Sequence, residues 1–245
     1  MACLRKDWLS WAAFAVLGCV LTNTWANARR NDLISAVGSG DLSRVKALLA
    51  AGADVNVKDR EGFTALFNAP NVEVLRVLLG AKPDLNAKDR DGDTALARFI
   101  RLSGNSWTWA VPALLVAGAD PNARASDWFT PLMWAAMGGN LDVVRALLDA
   151  KADANAKAGG FTVAEYAYGH EDAMLMLRHA GPDRLTGFTA LMMASANGRQ
   201  EVVKALLDAK ADVNARAGDG TTALIMAIQN NHPEVAQLLR SAGAQ

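Results

Sequence analysis

The chain has 245 residues, 51% of them hydrophobic, with 25 basic and 25 acidic side chains and no formal net charge. That balance is too apolar for a disordered chain and lacks the basic excess of a dedicated nucleic-acid binder. Aromatics are sparse at 7%, while Ala and Leu abound, which favours helices.

The first segment reads as an address. Arg5 and Lys6 precede an almost wholly apolar run from Leu9 to Leu21, and small residues follow at Ala26 and Ala28. A charged start, an apolar centre and a small-residue exit are the parts of a secretory signal, with cleavage expected near Ala26. The run is shorter than the roughly 20 residues of a spanning helix. Two other readings stay open: an uncleaved anchor over residues 8–25, with Trp at each edge, and lipidation of Cys19 after Val16-Leu17-Gly18. All three export the rest of the chain, to the periplasm or beyond. The two cysteines, Cys3 and Cys19, both lie in this segment. A chain cleaved after it has no thiol for disulfides, Cys-ligated zinc, Fe–S clusters or nucleophilic catalysis. It keeps 23 basic and 24 acidic residues, so nothing draws it to nucleic acid or an anionic membrane.

From residue 31 onward one unit recurs. Ala-Asp-Val-Asn at 53–56 returns at 83–86, 119–122, 152–155 and 211–214 as variants on Asp-x-Asn. Gly-Phe-Thr-Ala-Leu at 62–66 recurs around Thr94, Thr130, Thr162, Thr189 and Thr222, at spacings of 30, 36, 32, 27 and 33 residues. Apolar pairs such as Leu78-Leu79, Leu147-Leu148 and Leu206-Leu207 lie between these anchors. Each unit predicts a turn, a short helix, a tight loop and a longer helix. A Thr hydroxyl caps the first helix, and Pro233 suits the first turn of the last. Helices this short cannot bury their apolar faces alone, so neighbours must stack.

These anchors, kept in phase to residue 245, resemble the ankyrin repeat; the fullest copies run from Trp128 to Asn155 and from Gly187 to Asn214. The resemblance implies an all-α solenoid of stacked helix-turn-helix units joined by short β-hairpin turns. Behind a signal at 1–26, the array at 27–245 divides into about seven units, at 31–60 (a cap), 61–90, 91–125, 126–158, 159–186, 187–217 and 218–245. The family's Pro after Thr survives only at Pro131, and its first-helix His is replaced by Phe67, Ala97, Met133, Glu165, Met192 and Ile225. Where the family ends its second helix on Gly, this chain has Gly52, Gly118 and Gly243 but Lys82, Lys151 and Lys210. Only eight steps separate Gly181 from Thr189, against twelve from Lys210 to Thr222. The junction at 181–189 is therefore expected to lose its hairpin and to be the weakest interface.

Chemistry is sought and not found. His170 and His232 open second helices, where capping is their expected role, and His179 sits near a helix end. None belongs to a His-Glu-x-x-His pattern. Lys58 occupies a ligand slot in the calcium-like run from Asp54 to Gly62, so Asp and Asn there are expected to bond their own turn backbone. Ser195 has no nucleophile elbow, and no phosphate-cradling glycine loop appears. No cofactor or metal is expected, and the chain is not expected to be an enzyme.

Such arrays bind proteins along a concave side, through hairpin tips and exposed first-helix faces. The resemblance thus points to Phe63, Asp93, Phe129, Phe161 and Phe188 beside the repeated Thr, with Arg60, Arg90, Asp127, Trp128 and Trp134 nearby. Aromatics rimmed by Arg and Asp have the composition of an interface hot spot. Trp107 and Trp109, in an expanded third unit, are expected to cover the shortened second one. The function expected is a monomeric, exported protein-binding module that scaffolds or stabilises another exported protein. The alternative is an inhibitor or immunity-type protein that covers the active site of a toxin or hydrolase.

Overall fold

The computed structural model describes residues 32–101, 109–124, 129–159 and 186–245. The chain divides into two compact units, Met1–Asp84 and Leu85–Gln245. In the first unit, α1 (32–38) and α2 (Leu42–Ala50) are followed by a 3-10 turn at Ala65–Asn68 and by α3 (Val72–Gly80). Leu33, Val37, Val45, Leu66, Val74, Leu75 and Leu78 form its core. The 3-10 turn stands where a full first helix is expected. Its arrest has a local cause: Ala69 precedes Pro70 and takes an extended ψ of 110°, as a residue before proline must.

Among the described residues the second unit has four helix pairs. They are α4 (Ala95–Arg101) with α5 (Ala110–Ala117), α6 (Pro131–Gly138) with α7 (Leu141–Asp149), α8 (Ala190–Ala196) with α9 (Gln200–Asp208), and α10 (Ala223–Gln229) with α11 (Pro233–Ser241). First helices pack on one another in the order α4, α6, α8, α10, and second helices in the order α5, α7, α9, α11. Among the described residues the only β-type pairing is an isolated bridge between Lys88 and Thr94, so the expected all-α class holds. The Thr hydroxyls cap as expected: Thr94, Thr130, Thr189 and Thr222 each accept a bond from the N–H three residues on. At Thr130 the Met133 sulfur also accepts from the Thr130 N–H at 3.4 Å, a capping box with sulfur in the acidic place.

Apart from α5, which starts at Trp109 without a side-chain cap, second helices begin in two ways. Asp41, Asn71 and Asn140 cap them with side-chain oxygens. Arg199 and His232 hold the same position but make no cap bond. Their side chains reach back to the preceding repeat, where Arg199 Nε donates to the Met137 carbonyl (3.3 Å) and the His232 ring bonds the Ala196 carbonyl (3.0 Å). This corrects the expectation that His232 caps its helix. The space it needs comes from Gly198, at φ +65°, where a Cβ would lie 2.6 Å from the imidazole; Gly139, at φ +80°, makes the same room for Arg199.

Helix ends follow the expected phasing. Lys82, Lys151 and Lys210 have φ of 54°, 70° and 65°, in register with Gly52, Gly118 and Gly243. A left-handed non-glycine residue costs about 1–2 kcal/mol, and glycine's greater freedom when unfolded returns part of that. Lys151→Gly is therefore expected to stabilise the second unit by about 0.5–1 kcal/mol, read from the urea midpoint. An unchanged or lower midpoint would contradict this phasing.

The Asp-x-Asn motif divides its labour between neighbours. Asp54, Asp120, Asp153 and Asp212 bond within their own turns, accepting from the N–H of the Asn two residues on. Each Asn instead holds the next layer. Asn122 Oδ1 accepts from Asp153 N–H while its Nδ2 donates to the Lys151 carbonyl, and Asn214 treats Gln245 and Gly243 alike. The expectation that Asn bonds its own turn is thus corrected.

This ladder also reports the stacking order. Asn56 to Asp84, Asn86 to Asp120, and Asn122 to Asp153 span 28, 34 and 31 residues. Asn155, however, bonds Asp212 and the Lys210 carbonyl, 57 and 55 residues away. The 126–158 repeat therefore lies directly against the 187–217 repeat, and α6 packs on α8. Residues 160–185, most of the unit expected at 159–186, lie outside the described residues. The junction at 181–189, expected to lose its hairpin, falls mostly outside the described residues. Three hairpins close by the same two bonds, as in Asp59 N–H to Phe63 O and Gly62 N–H to Asp59 O. The same pair of bonds joins Ala158 to the start of the 187–217 repeat, where Ala158 N–H donates to Phe188 O and Gly187 N–H to Ala158 O.

Candidate functional site

The hairpin tips are held by aspartates. Asp59 Oδ1 accepts from the N–H groups of Glu61 and Phe63 at 2.9 and 2.8 Å, and Asp89 Oδ1 does the same for Asp91 and Asp93. Side chains on these tips are thus carried by constrained backbone. Arg60 and Arg90 are exposed there, as expected, with Glu61 and Asp91 beside them. Phe63 is half-buried, its ring 5.4 Å from that of Phe67 in its own repeat.

In the second unit Asp93 replaces the usual Phe, and it is fully buried rather than presented at the surface. Arg101 Nη2 reaches the Asp93 carboxylate at 2.5 Å, and Arg98 lies 3.7 Å from Asp89. The Arg101 guanidinium also sits 5.9 Å from the centre of the Trp134 ring, within cation–π range. Trp134 in turn lies 4.9 Å from Phe129. A continuous series Asp93–Arg101–Trp134–Phe129 thus ties a hairpin and α4 to the start of α6.

Phe129, Trp134 and Phe188, expected as contact residues, are 1%, 4% and 3% exposed. Their apolar area is already spent on packing, so the structure places them beneath the surface. Trp128, Asp127, Phe161, Trp107, His170, His179, Cys19 and the leader lie outside the described residues. Trp109 is half-buried at the start of α5. Arg98 and Arg101 were not singled out in the sequence. The signal was present: an acid in the usual Phe place, with arginines five and eight residues later on the helix that follows.

Among the described residues no group of three or more His, Cys, Asp or Glu side chains could hold a metal ion. A shallow cleft of about 380 Å³ runs between α7 and α9. It is lined by Arg145, Asp149, Glu201, Lys204 and Asp208 over Leu148, and Lys204 is paired with Glu201 at 2.8 Å. Its charges are mixed, and no nucleophile stands in it. No helix of the described residues is long and apolar enough to cross a membrane.

A family model described as ankyrin repeats matches the chain at residues 33–125, 100–184 and 175–245. The putative ankyrin repeat protein YahD of Escherichia coli K12 is 27% identical over 226 residues, covering 87% of this chain and 96% of the relative. Ankyrin repeat and SAM domain-containing protein 6 of Rattus norvegicus is 34% identical over 135 residues, covering 53% of this chain. The chain spans only 12% of that relative's length. An ankyrin repeat domain from Acinetobacter baumannii superposes with a TM-score of 0.69 at 26% identity, covering 87% of this chain and 98% of its own.

Proposed function

The chain belongs to the ankyrin repeat family, and from that premise we propose that it is an exported, non-enzymatic module holding a partner protein against its hairpin tips. Ankyrin repeats are protein–protein interaction modules. The observation that carries this reading is the pair of charged tips, Arg60-Glu61 and Arg90-Asp91, each on backbone clamped by one buried or half-buried aspartate. Preorganised side chains lose less freedom on binding, so more of their interaction energy appears as affinity. Arg98 and Arg101, half-buried on α4, extend the surface of the second unit, and Trp128, beside Phe129 in the sequence, is the aromatic anchor proposed for it. Arg5-Lys6 and the apolar run to Leu21 support export, which makes the partner another exported protein that the module scaffolds or stabilises. The proposal needs no cofactor and takes the chain as a monomer, touching a membrane only through its leader.

Affinity capture from the exported fraction tests this. The native chain is compared with Arg60→Glu/Arg90→Glu/Trp128→Ala and with a control, Asp149→Lys/Glu201→Lys, altered on the second helices. At least one captured protein is expected to fall about tenfold or more with the tip variant, the loss of a single hot spot, and to persist with the control. Equal capture by all three folded chains would sink the assignment of the tips.

A further inference from the structure

Residues 152–158 alternate in burial, with Ala152, Ala154, Ala156 and Ala158 inside and Asp153, Asn155 and Lys157 outside. The residue two places after the ladder Asn thus faces solvent, and in the second unit it is a cation each time: Lys88, Arg124, Lys157 and Arg216. Stacking brings these four into one row. Lys88 Nζ donates to the Arg124 carbonyl and Arg124 Nη1 to the Lys157 carbonyl, both at 2.8 Å. Asn155 ties the Lys157 layer to the Arg216 layer through Asp212. A carbonyl is a neutral acceptor, so such bonds place a cation without cancelling its charge. At Lys157 the series of cation-to-carbonyl bonds stops, and among the described residues its ammonium has no partner. Arg216 reaches only the Gly220 carbonyl of its own hairpin, at 3.5 Å. The adjacent acid is also missing there: Asp89 follows Lys88, but buried Ala158 and Ala217 follow Lys157 and Arg216.

We propose that this row binds an extended acidic segment of the partner protein, with carboxylates three residues apart. The inference deepens the reading that a partner lies at the hairpin tips, and rests on it. Stacked layers lie about 10 Å apart, and an extended chain covers about the same distance in three residues. A Glu or Asp at every third place therefore meets one cation per layer, and the Arg216 guanidinium can hold both oxygens of one carboxylate. Asp153 and Asp212 stand four residues before Lys157 and Arg216, each with an oxygen bound to its own turn. A nucleic acid or an anionic membrane presents charge continuously and would lie against these acids too, whereas a segment along the row passes them by.

Fluorescence anisotropy of labelled peptides with the full chain, at about 0.1 M salt, tests this. One peptide has four Glu-Gly-Ser units, and a second has the same composition with its Glu residues consecutive. The spaced peptide is expected to bind at least about tenfold tighter than the clustered one. Lys157→Glu/Arg216→Glu is expected to weaken it at least about tenfold, and Lys151→Glu/Lys210→Glu, the same charge change off the row, to weaken it much less. Equal binding of the two peptides, equal losses from the two charge pairs, or no peptide binding would overturn the proposal. So would single-stranded DNA or phosphatidylserine vesicles binding in the peptide's place. In capture from the exported fraction, a protein lost with Arg60→Glu/Arg90→Glu/Trp128→Ala but kept by Lys157→Glu/Arg216→Glu would leave the tip reading standing and sink the acidic segment.

Discussion

Replacing Arg101 by Met is expected to destabilise the second unit by about 3 kcal/mol, because it strips the guanidinium from a carboxylate that is already out of water. Asp93 is 0% exposed, and the Arg101 side chain is 18% exposed. Desolvation of the pair has been spent in folding, so removing one partner costs far more than an exposed ion pair would. The Met stem keeps most of the packing against Trp134 and isolates the electrostatic loss. Asp93→Asn/Arg101→Met should recover most of the stability, since a neutral side chain no longer needs the cation. Urea unfolding of the two variants reads this directly. A single variant within about 1 kcal/mol of wild type, the range of an exposed pair, would mean that Asp93 is held by other groups.

Phe129→Ala should cost about 3–5 kcal/mol, the range for emptying an aromatic site in a packed core. The ring is 1% exposed and lies against Trp134 at the start of α6, where Thr130 caps the helix. Its loss both opens a cavity and loosens the support of Trp134. Phe129→Leu fills most of the space and should cost less than half as much. If Phe129→Ala unfolds at the wild-type urea midpoint, the residue is not the packing element described above. The large cost also makes Phe129→Ala a poor probe of binding, because lost capture would report lost structure.

Much of this architecture was legible in the sequence, for physical reasons that differ by element. The Thr caps, the left-handed lysines and the Asp-bonded turns are local devices, and local spacing reveals them. The Asn ladder is not local: Asn122 serves the next repeat, and nothing in Asp-x-Asn says which backbone its side chain meets. Stacking order was hidden for the opposite reason. Residues 159–186 carry the anchors of a repeat, so periodicity alone gives no hint that Asn155 bonds Asp212 and Ala158 bonds Phe188.

The candidate surface was legible in part. Arg60 and Arg90 stand on the tips where the repeat pattern puts them. The aromatic positions misled because Phe beside the repeated Thr packs on its own repeat or an adjacent layer, as Phe63 does on Phe67. Asp93 misled because its partner, Arg101, lies eight residues away and closes over it.

The most direct test of the account is an amide hydrogen-exchange footprint of the full chain with its captured partner. The account predicts added protection at residues 58–63 and 88–93 and along α4, with α7 and α9 unchanged. Protection confined to α7 and α9, leaving the tips exchanging as in the free chain, would contradict it.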